Sequence, residues 1–324
     1  MRIDVIVNTT ARRYESAPSL VNELRGASHG HAVFHATREL AELSRVCDEA
    51  ARARSDLVVL TGGDGSLMAG VSELARAFGG APPRIAFLPA GTAAVVSKNW
   101  GIRGDPVVLL RRIFARGRAV ASEAHPTLRV RAETAGGVEE RVGFIFGTGL
   151  VAKFFDAYYA DGARGNAGAA KLVARIFAES FVGGPFARQV LDPLPCAIEV
   201  DGRALRPKAF SLVCASVVRD VGLHLVVNHR AGEDPERPHL VASALPSRHL
   251  GWRMPLVLAG KPIGGEDAFD DLARSFTVRF PKPEDPGARA DDAEDGGPYV
   301  LDGDMLRASA VHVTAGPALT VVKP

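Results

Sequence analysis

The chain has 324 residues, of which 47% are hydrophobic and 23% charged, and its formal net charge is +2. These values are typical of a soluble globular protein with a sizeable core, and the length predicts about two domains. The small net charge argues against a protein that binds nucleic acid by bulk electrostatics. No window approaches the ~18 uncharged apolar residues of a membrane span, so we expect no transmembrane segment.

The cysteines and histidines suggest no metal site. Cys47, Cys196 and Cys214 lie far apart and form no CxxC motif, which indicates neither a zinc site nor a disulfide scaffold. We interpret six scattered histidines as ordinary, because none is spaced with a carboxylate as metal ligands would be: His125, His224, His229, His239, His249 and His312. The N-terminus lacks the long apolar region and cleavage pattern of a signal peptide, so we expect a cytoplasmic protein.

The first third of the chain alternates apolar runs with segments of helical periodicity. The predicted strands are Ile3–Val7, Ala32–Ala36, Leu57–Leu60 and Ile85–Leu88, and the predicted helices are Ser19–Arg25, Arg38–Ala53 and Asp105–Arg116. This alternation indicates a parallel, doubly wound sheet. In such sheets ligands bind outside the carboxyl ends of the strands.

Two glycine turns follow neighbouring predicted strands. Gly62-Gly63-Asp64-Gly65-Ser66 comes directly after one strand, and Pro89-Ala90-Gly91-Thr92 comes after the next. Each turn leads into a predicted helix, and Ser66 is the expected N-cap of the first. Free backbone N–H groups and the helix dipole favour phosphate at such a position. The sequence therefore predicts an anion site, although neither turn is a Walker A loop or a GxGxxG motif.

These turns resemble those of the diacylglycerol kinase catalytic domain family, which includes sphingosine kinases, ceramide kinases and soluble bacterial lipid kinases. The family is distantly similar to NAD kinases. Asn8 and Thr10 follow the first strand, where the family has an Asn-Pro-x-x-Gly type of turn. Near the end of the chain, Asp302-Gly303-Asp304 resembles the family's Asp-Gly-Glu segment, which lies near the nucleotide.

The resemblance implies ATP as the phosphate donor and Mg²⁺ as its cation. The implied nucleotide-binding residues are Asn8, Thr10, Gly62, Gly63, Gly65, Ser66, Gly91 and Thr92. Asp64 is the acid inside the cradle, and its expected role is to orient Mg²⁺ or to contact the acceptor hydroxyl. Its alternative role is to brace its own turn. Asp304 is the expected general base and Asp302 the fallback, with a plain Asp-Gly turn between strands as the alternative.

The chain also departs from the family pattern. The family continues Gly-Thr-x-Asn-Asp after the second glycine turn, whereas the corresponding positions here are Ala94 and Val95. The family's Gly-x-Gly-x-Asp-Ala segment appears as Gly147-Thr148-Gly149-Leu150-Val151-Ala152, without the aspartate. Nucleotide binding through backbone amides could survive both changes, but substrate contacts, metal organisation and turnover depend on the missing side chains.

After Gly117 the pattern becomes rich in strands. They are predicted at Thr127–Ala132, Val142–Phe146, Cys196–Val200, Ser211–Val217, His224–Val227, Phe276–Phe280, Tyr299–Leu301, Ala310–Thr314 and Leu319–Val322. Helices are expected over Gly149–Tyr159 and Ala167–Val182. We interpret the second as an amphipathic helix packed on the sheet, with a lid or membrane-facing element as the alternative. The acidic run Glu284–Gly297 is expected to be a solvated loop.

We therefore predict an α/β fold with a doubly wound, mainly parallel domain over residues 1–122, to which 306–324 return. A β-rich, antiparallel, sandwich-like domain with a helical insertion is expected over 123–305. The family implies an ATP-dependent kinase of diacylglycerol, ceramide, a sphingoid base or a related lipid, cytoplasmic and in peripheral contact with the inner membrane face. The alternatives are a nucleotide-binding regulator with little catalysis and an NAD kinase-like enzyme. No nucleic-acid partner is expected, and a homodimer stays open.

Overall fold

The computed structural model describes residues 1–91, 94–160, 165–281 and 296–324. They form two compact units, with Met1–Thr127 and Pro317–Pro324 in unit 1 and Leu128–Gly316 in unit 2. Helices and strands are numbered below along the whole chain. Among the described residues, no helix has both the length and the apolar character needed to cross a membrane.

Unit 1 is built on a six-stranded sheet. Its strands are β1 (Ile3–Asn8), β2 (Val33–Thr37), β3 (Leu57–Gly62), β4 (Arg84–Pro89), β5 (Ser122–His125) and β20 (Leu319–Val322). The order is β2-β1-β3-β4-β20-β5, and only the pair of β20 with β5 is antiparallel. The mainly parallel sheet predicted from the sequence is therefore confirmed, and the last strand of the chain completes it.

The helices of unit 1 are α1 (Arg12–Ser16), α2 (Ser19–Ser28), α3 (Leu40–Arg52), α4 (Asp64–Ala77), α5 (Val95–Asn99) and α6 (Pro106–Arg116). The start of α6 shows how local chemistry sets these boundaries. The Asp105 carboxylate accepts hydrogen bonds from the N–H groups of Val107 and Val108, at 2.9 and 3.3 Å, and Pro106 occupies the first helical position. Both are standard helix-start signals. Strand β3 is buried along its whole length, which explains its uninterrupted apolar run.

Unit 2 contains two six-stranded antiparallel sheets. Its strands are β6 (Leu128–Thr134), β7 (Gly137–Gly143), β8 (Ile145–Gly149), β9 (Leu194–Pro195), β10 (Ala197–Val200), β11 (Arg203–Ala204), β12 (Ala209–Phe210), β13 (Leu212–Ser216), β14 (His239–Ser243), β15 (Phe269–Leu272), β16 (Ser275–Arg279), β17 (Gly297–Leu301), β18 (Asp304–Ala308) and β19 (Ala310–Ala315). The orders are β11-β10-β16-β19-β6-β7 and β15-β14-β13-β8-β17-β18, and β9 pairs with β12. Phe146 of one sheet and Phe276 of the other have ring centroids 5.5 Å apart, as expected for a sandwich.

In the described part of unit 2, four helices accompany the sandwich: α7 (Leu150–Ala160), α8 (Gly165–Val182), α9 (Pro185–Leu191) and α10 (Ser247–Leu258). Helix α8 is amphipathic, as predicted, but it packs on α9 and α10 rather than on a sheet. Its Leu172 and Ile176 are buried in a cluster with Leu191 and Leu250. The apolar stripe in the sequence predicted that one face of α8 is buried, but it did not identify the helices that cover this face.

Two strand predictions in unit 2 are wrong in detail. His224–Val227 lies in the connection between β13 and β14 and forms no strand. Leu223 and His224 have φ values of 54° and 60°, which are incompatible with extended backbone. The run Val142–Phe146 is divided between β7 and β8 at Phe144. Most of the acidic run Glu284–Gly297 lies outside the described residues.

Candidate functional site

The first group of predicted site residues gathers where parallel strands of unit 1 end. Asn8 ends β1 and Gly62 ends β3, its direct neighbour. The Asn8 side-chain amide donates to Ser66 Oγ at 2.8 Å. Its Oδ1 accepts from the backbone N–H and hydroxyl of Thr10, at 3.0 and 2.7 Å. Asn8 therefore joins the turn after β1 to the glycine turn after β3.

The two glycine turns touch each other through their backbones. A Cβ added to Gly91 would lie 2.6 Å from the Cα of Gly63, and one added to Gly62 would lie 2.4 Å from the Cβ of Ser66. The Ala90 N–H also donates to the Gly62 carbonyl at 2.7 Å. Neither Gly62 nor Gly91 has positive φ. Glycine is required at position 91 because the backbones of the two turns approach closely, and at position 62 because the Ser66 side chain lies close to it. Neither position needs a left-handed backbone.

Helix α4 starts earlier than the sequence indicated. Its N-cap is Gly63, with extended φ and ψ of −91° and −175°, and Asp64 is the first helical residue. The prediction of Ser66 as N-cap is wrong, because its hydroxyl lies in the first turn and accepts from Asn8. Gly65 lies in the same turn. The first N–H groups of this 14-residue helix have no intrahelical acceptor, so an anion is favoured there.

Asp64 holds the start of α5, which follows the second glycine turn, rather than its own turn. One carboxylate oxygen accepts from the N–H of Val95 at 2.8 Å and the other from the N–H of Val96 at 3.1 Å. Burial raises the pKa of the Asp64 carboxyl, and these N–H groups and Lys98 oppose the rise. Thr92, also predicted to bind the nucleotide, lies outside the described residues.

A small cavity of about 120 Å³ adjoins Asn8 and Ser66. Its walls combine apolar side chains with polar groups, including Ile6, Thr37, Arg38, Leu40, Leu43 and Leu60. The sequence interpretation missed the contribution from the end of β2 and the start of α3. The strand-end rule, applied to β2 as it was to β1 and β3, would have pointed to Thr37.

The Asp302-Gly303-Asp304 segment belongs to unit 2. Asp302 and Gly303 form a two-residue hairpin turn, and Asp304 begins the next strand. Leu301 of β17 pairs with Asp304 of β18, and φ is 51° at Asp302 and 97° at Gly303. Positive φ at both central residues is the requirement of a type I′ turn. The Asp302 carboxylate accepts from the N–H groups of Phe144, at 3.0 Å, and Ile145, at 2.9 Å. These backbone contacts give Asp302 a structural role in holding the turn.

Asp304 is placed differently from Asp302. Its side chain reaches solvent at the start of β18. Partial desolvation by the surrounding protein raises the pKa of the Asp304 carboxyl, and the positive charge of Arg141 opposes the rise. The neighbouring turn is held by Tyr159 of α7, whose hydroxyl donates to the Gly303 carbonyl at 3.0 Å. Aromatic side chains of α7 therefore lie beside the turn that carries Asp304.

Residues 2–123 match the family model of the diacylglycerol kinase catalytic domain. The family resemblance seen in the sequence is thereby confirmed for this range. A search of the curated proteins finds no significant match.

Solved structures of diacylglycerol kinase-like proteins share the fold over the entire chain. A crystal structure of a diacylglycerol kinase from Bacillus anthracis str. Sterne is 15% identical, with a TM-score of 0.61, and covers 100% of this chain and 97% of that chain. Two further structures, of candidate diacylglycerol kinases from the same strain, have identities of 15% and 16% and TM-scores of 0.64 and 0.65. They cover 100% of this chain and 96% and 97% of theirs.

The structure gives a physical meaning to one departure from the diacylglycerol kinase pattern. Ala94, which stands where the family has asparagine, is the N-cap of α5 and has a φ of 49°. Asparagine tolerates this left-handed region much better than alanine does. At the next position, Val95 contributes its backbone N–H to Asp64. In this chain the backbone N–H of Val95 reaches Asp64 although neither position carries a polar side chain.

Proposed function

We propose that this protein is an ATP-dependent lipid kinase that transfers the γ-phosphate to a hydroxyl of diacylglycerol, ceramide, a sphingoid base or a related lipid. The observation that carries the proposal is the pair of interlocked glycine turns, tied to Asn8, within the range that matches the diacylglycerol kinase catalytic domain. Nucleotide binding is assigned to unit 1 and lipid binding to unit 2.

In this proposal the ATP phosphates bind to backbone N–H groups. Gly62 is proposed to supply one at the end of β3, and Gly63, Gly65 and Ser66 others at the start of α4. Gly91 and Thr92 are proposed to contribute from the second glycine turn. Two features support this assignment: glycines at which a Cβ would collide, and a 14-residue helix whose dipole favours negative charge. Asn8 and Thr10 hold the adjacent turn, beside the cavity that we assign to the nucleoside.

Asp64 is the residue proposed to hold Mg²⁺. Each of its oxygens accepts a single backbone N–H, and an ionised carboxylate offers about four lone-pair directions, so the group retains capacity for a cation. Mg²⁺ needs only one or two protein carboxylates when phosphates and water complete its shell. When bound, the ion neutralises charge on the transferring phosphate.

Asp304 is proposed to accept the proton of the lipid hydroxyl. A general base works best when its pKa lies nearer the operating pH than that of an ordinary aspartate. The raised pKa of Asp304 and its access to solvent agree with that role. Phe155 and Tyr159 of α7, which lie beside the turn, offer an apolar surface for the acceptor.

Peripheral membrane contact is proposed for exposed apolar side chains at the end of α8 and on α10. Phe181, Val182, Trp252 and Leu258 are large apolar side chains that remain exposed, and Val182 and Trp252 are 81% and 68% accessible. The rings of Phe181 and Trp252 are in edge contact, with centroids 4.9 Å apart, so these two side chains form an apolar patch. Exposed apolar patches with tryptophan are characteristic of surfaces that enter a membrane interface.

The decisive assay supplies purified protein with labelled ATP, Mg²⁺ and micelles of diacylglycerol, ceramide or sphingoid base. The expected result is labelled phosphate on at least one lipid, and a loss of at least 100-fold in kcat for Asp304→Asn. Glu199→Gln, which changes an exposed acid of β10, is the matched control and is expected to keep full activity. Transfer that is absent with every lipid, or unchanged in Asp304→Asn, would refute the assignment.

A nucleotide-binding regulator is the second candidate. It is favoured by Ala94 and Val95, which replace the family's polar pair, and by the missing aspartate in Gly147–Ala152. Calorimetry that detects ATP binding, together with no turnover on any lipid, would select this candidate. Robust turnover would exclude it.

A further inference from the structure

Two histidines and an aspartate converge inside unit 2, at residues that have no role in the proposed kinase chemistry. A potential ligand atom from each of His229, His239 and Asp270 lies within 4.8 Å of the others. The His239 side chain is fully buried, and those of His229 and Asp270 are only 16% and 11% exposed. Their wide separation along the chain explains why residue spacing gave no sign of a metal site.

Strand pairing brings two of the three residues to one sheet face. In the antiparallel pair of β14 with β15, His239 lies opposite Leu272 and Val241 lies opposite Asp270. Side chains two residues apart on a strand point to the same face, so His239 and Asp270 are diagonal neighbours. The His239 Nε2 atom is 3.0 Å from Asp270 Oδ1.

The third residue reaches the cluster from the connection between β13 and β14. Asn228, immediately before His229, is fully buried and anchors that connection. Its amide donates to the carbonyls of Cys214 and His239, at 3.1 and 2.8 Å. The rings of His229 and His239 stand edge to face, with centroids 4.8 Å apart. The buried and hydrogen-bonded Asn228 therefore fixes the position of the neighbouring His229, as is expected for a metal ligand.

Four buried polar atoms of this cluster make no aligned hydrogen bond to the residues that the structure describes: His229 Nδ1, both ring nitrogens of His239, and Asp270 Oδ1. The 3.0 Å approach of His239 Nε2 to Asp270 Oδ1 is an ion-pair contact without hydrogen-bond alignment. The other oxygen of Asp270 is held by the N–H of Ile263 at 3.1 Å. Buried polar atoms are nearly always satisfied in native proteins, and a group of unsatisfied ones calls for an explanation such as an ion.

Two of the three separations among these atoms suit a metal ion. Bonds of about 2.0–2.1 Å from a tetrahedral ion place its ligand atoms about 3.3 Å apart. The oxygen of Asp270 lies 3.0 Å from His239 Nε2 and 3.9 Å from His229 Nδ1, on either side of that value. Two imidazoles with a carboxylate suit Zn²⁺ and similar transition metals, whereas Mg²⁺ prefers an all-oxygen shell.

We propose that His229 Nδ1, His239 Nε2 and Asp270 Oδ1 bind a divalent transition-metal ion, with water as the remaining ligand. The ion ties β14, β15 and the connection carrying His229 together. This site is independent of the Mg²⁺ assigned to Asp64 and does not depend on the kinase proposal.

The test measures metal binding by the full chain, prepared without a histidine tag and stripped with a chelator. Equilibrium dialysis against Zn²⁺, followed by elemental analysis, is expected to find one tightly bound equivalent. Co²⁺ in its place is expected to give the visible absorption of a four-coordinate site. His229→Ala and Asp270→Asn are expected to weaken binding at least 100-fold. His224→Ala removes a 97% exposed histidine from the same connection and is expected to bind as the unchanged chain does.

Two results would overturn the proposal. One is the absence of a bound equivalent in the unchanged chain, and the other is undiminished binding in both cluster variants. Circular dichroism shows whether the variants remain folded. Because they could unfold, the unchanged protein is also crystallised with Zn²⁺ and measured at the zinc absorption edge. An anomalous peak among His229, His239 and Asp270 supports the site, and a peak elsewhere only, as from an adventitious ion, refutes it.

Discussion

The contact between the two glycine turns can be tested with a pair of substitutions. Gly91→Ala places a Cβ 2.6 Å from the Cα of Gly63, well inside the 3.4 Å at which ordinary contact begins. The obstacle is backbone, which has no rotamer to change, so one turn must move. Gly63→Ala, on the other side of the same contact, places its Cβ 3.5 Å from the Cα of Gly91. Its extended backbone suits alanine.

The two variants are expected to differ in their free energy of unfolding. Overpacking costs about 1–3 kcal/mol, and the reduced entropy of the unfolded chain returns about 0.4–1 kcal/mol. From the midpoints of these two ranges, Gly91→Ala should lose about 1.3 kcal/mol of unfolding free energy. In Gly63→Ala the same entropic gain offsets a poorer N-cap, and the net change should stay within about 0.5 kcal/mol.

Urea unfolding followed by circular dichroism measures both changes, and calorimetry measures ATP affinity in the folded proteins. We expect Gly91→Ala to reduce ATP affinity more than tenfold, because the displaced turn carries the proposed phosphate ligands. If Gly91→Ala were as stable as Gly63→Ala, the inferred backbone contact would be wrong. If it were destabilised but bound ATP normally, the turn would not be part of the nucleotide site.

Three further predictions concern buried charge, backbone strain and the membrane. Burial by itself would raise the pKa of Asp4, but hydrogen bonds from His35, Ser55 and Arg2 hold it below the usual 3.8. Its stabilisation is therefore complete above pH 3.8 and is lost as the pH falls through the lower folded pKa. Asp4→Asn should cost about 1–3 kcal/mol at pH 7, and urea titrations at descending pH should show the difference from the unchanged chain shrinking below pH 3.8. Ala94→Gly should leave stability unchanged or raise it by up to about 1 kcal/mol, because it relieves a left-handed alanine, and a loss near the ~1 kcal/mol typical of a helix interior would contradict this. Trp252→Glu should lower sedimentation with anionic vesicles at least fivefold while ATP affinity stays the same, and unchanged sedimentation would exclude the apolar patch as the membrane contact.

Local patterns were sufficient for most elements of unit 1. A continuous apolar run identifies a buried strand such as β3, because both of its faces must avoid water. Asp105 and Pro106 marked the start of α6, because capping and a fixed φ act within a few residues. The same local reasoning failed at His224–Val227, because His224 and the preceding Leu223 lie in a turn with positive φ.

The alternation of strands and helices, the glycine turns and the kinase-family resemblance could all be predicted from the sequence, because each depends on residues that are close together along the chain. Which of the distant groups come into contact depends on the tertiary structure. Asp64 holds the N–H groups of Val95 and Val96, and Gly63 touches Gly91, because adjacent parallel strands bring their turns together. His239 and Asp270 become neighbours through strand register, which depends on packing across the whole sheet and leaves no fixed spacing in the chain.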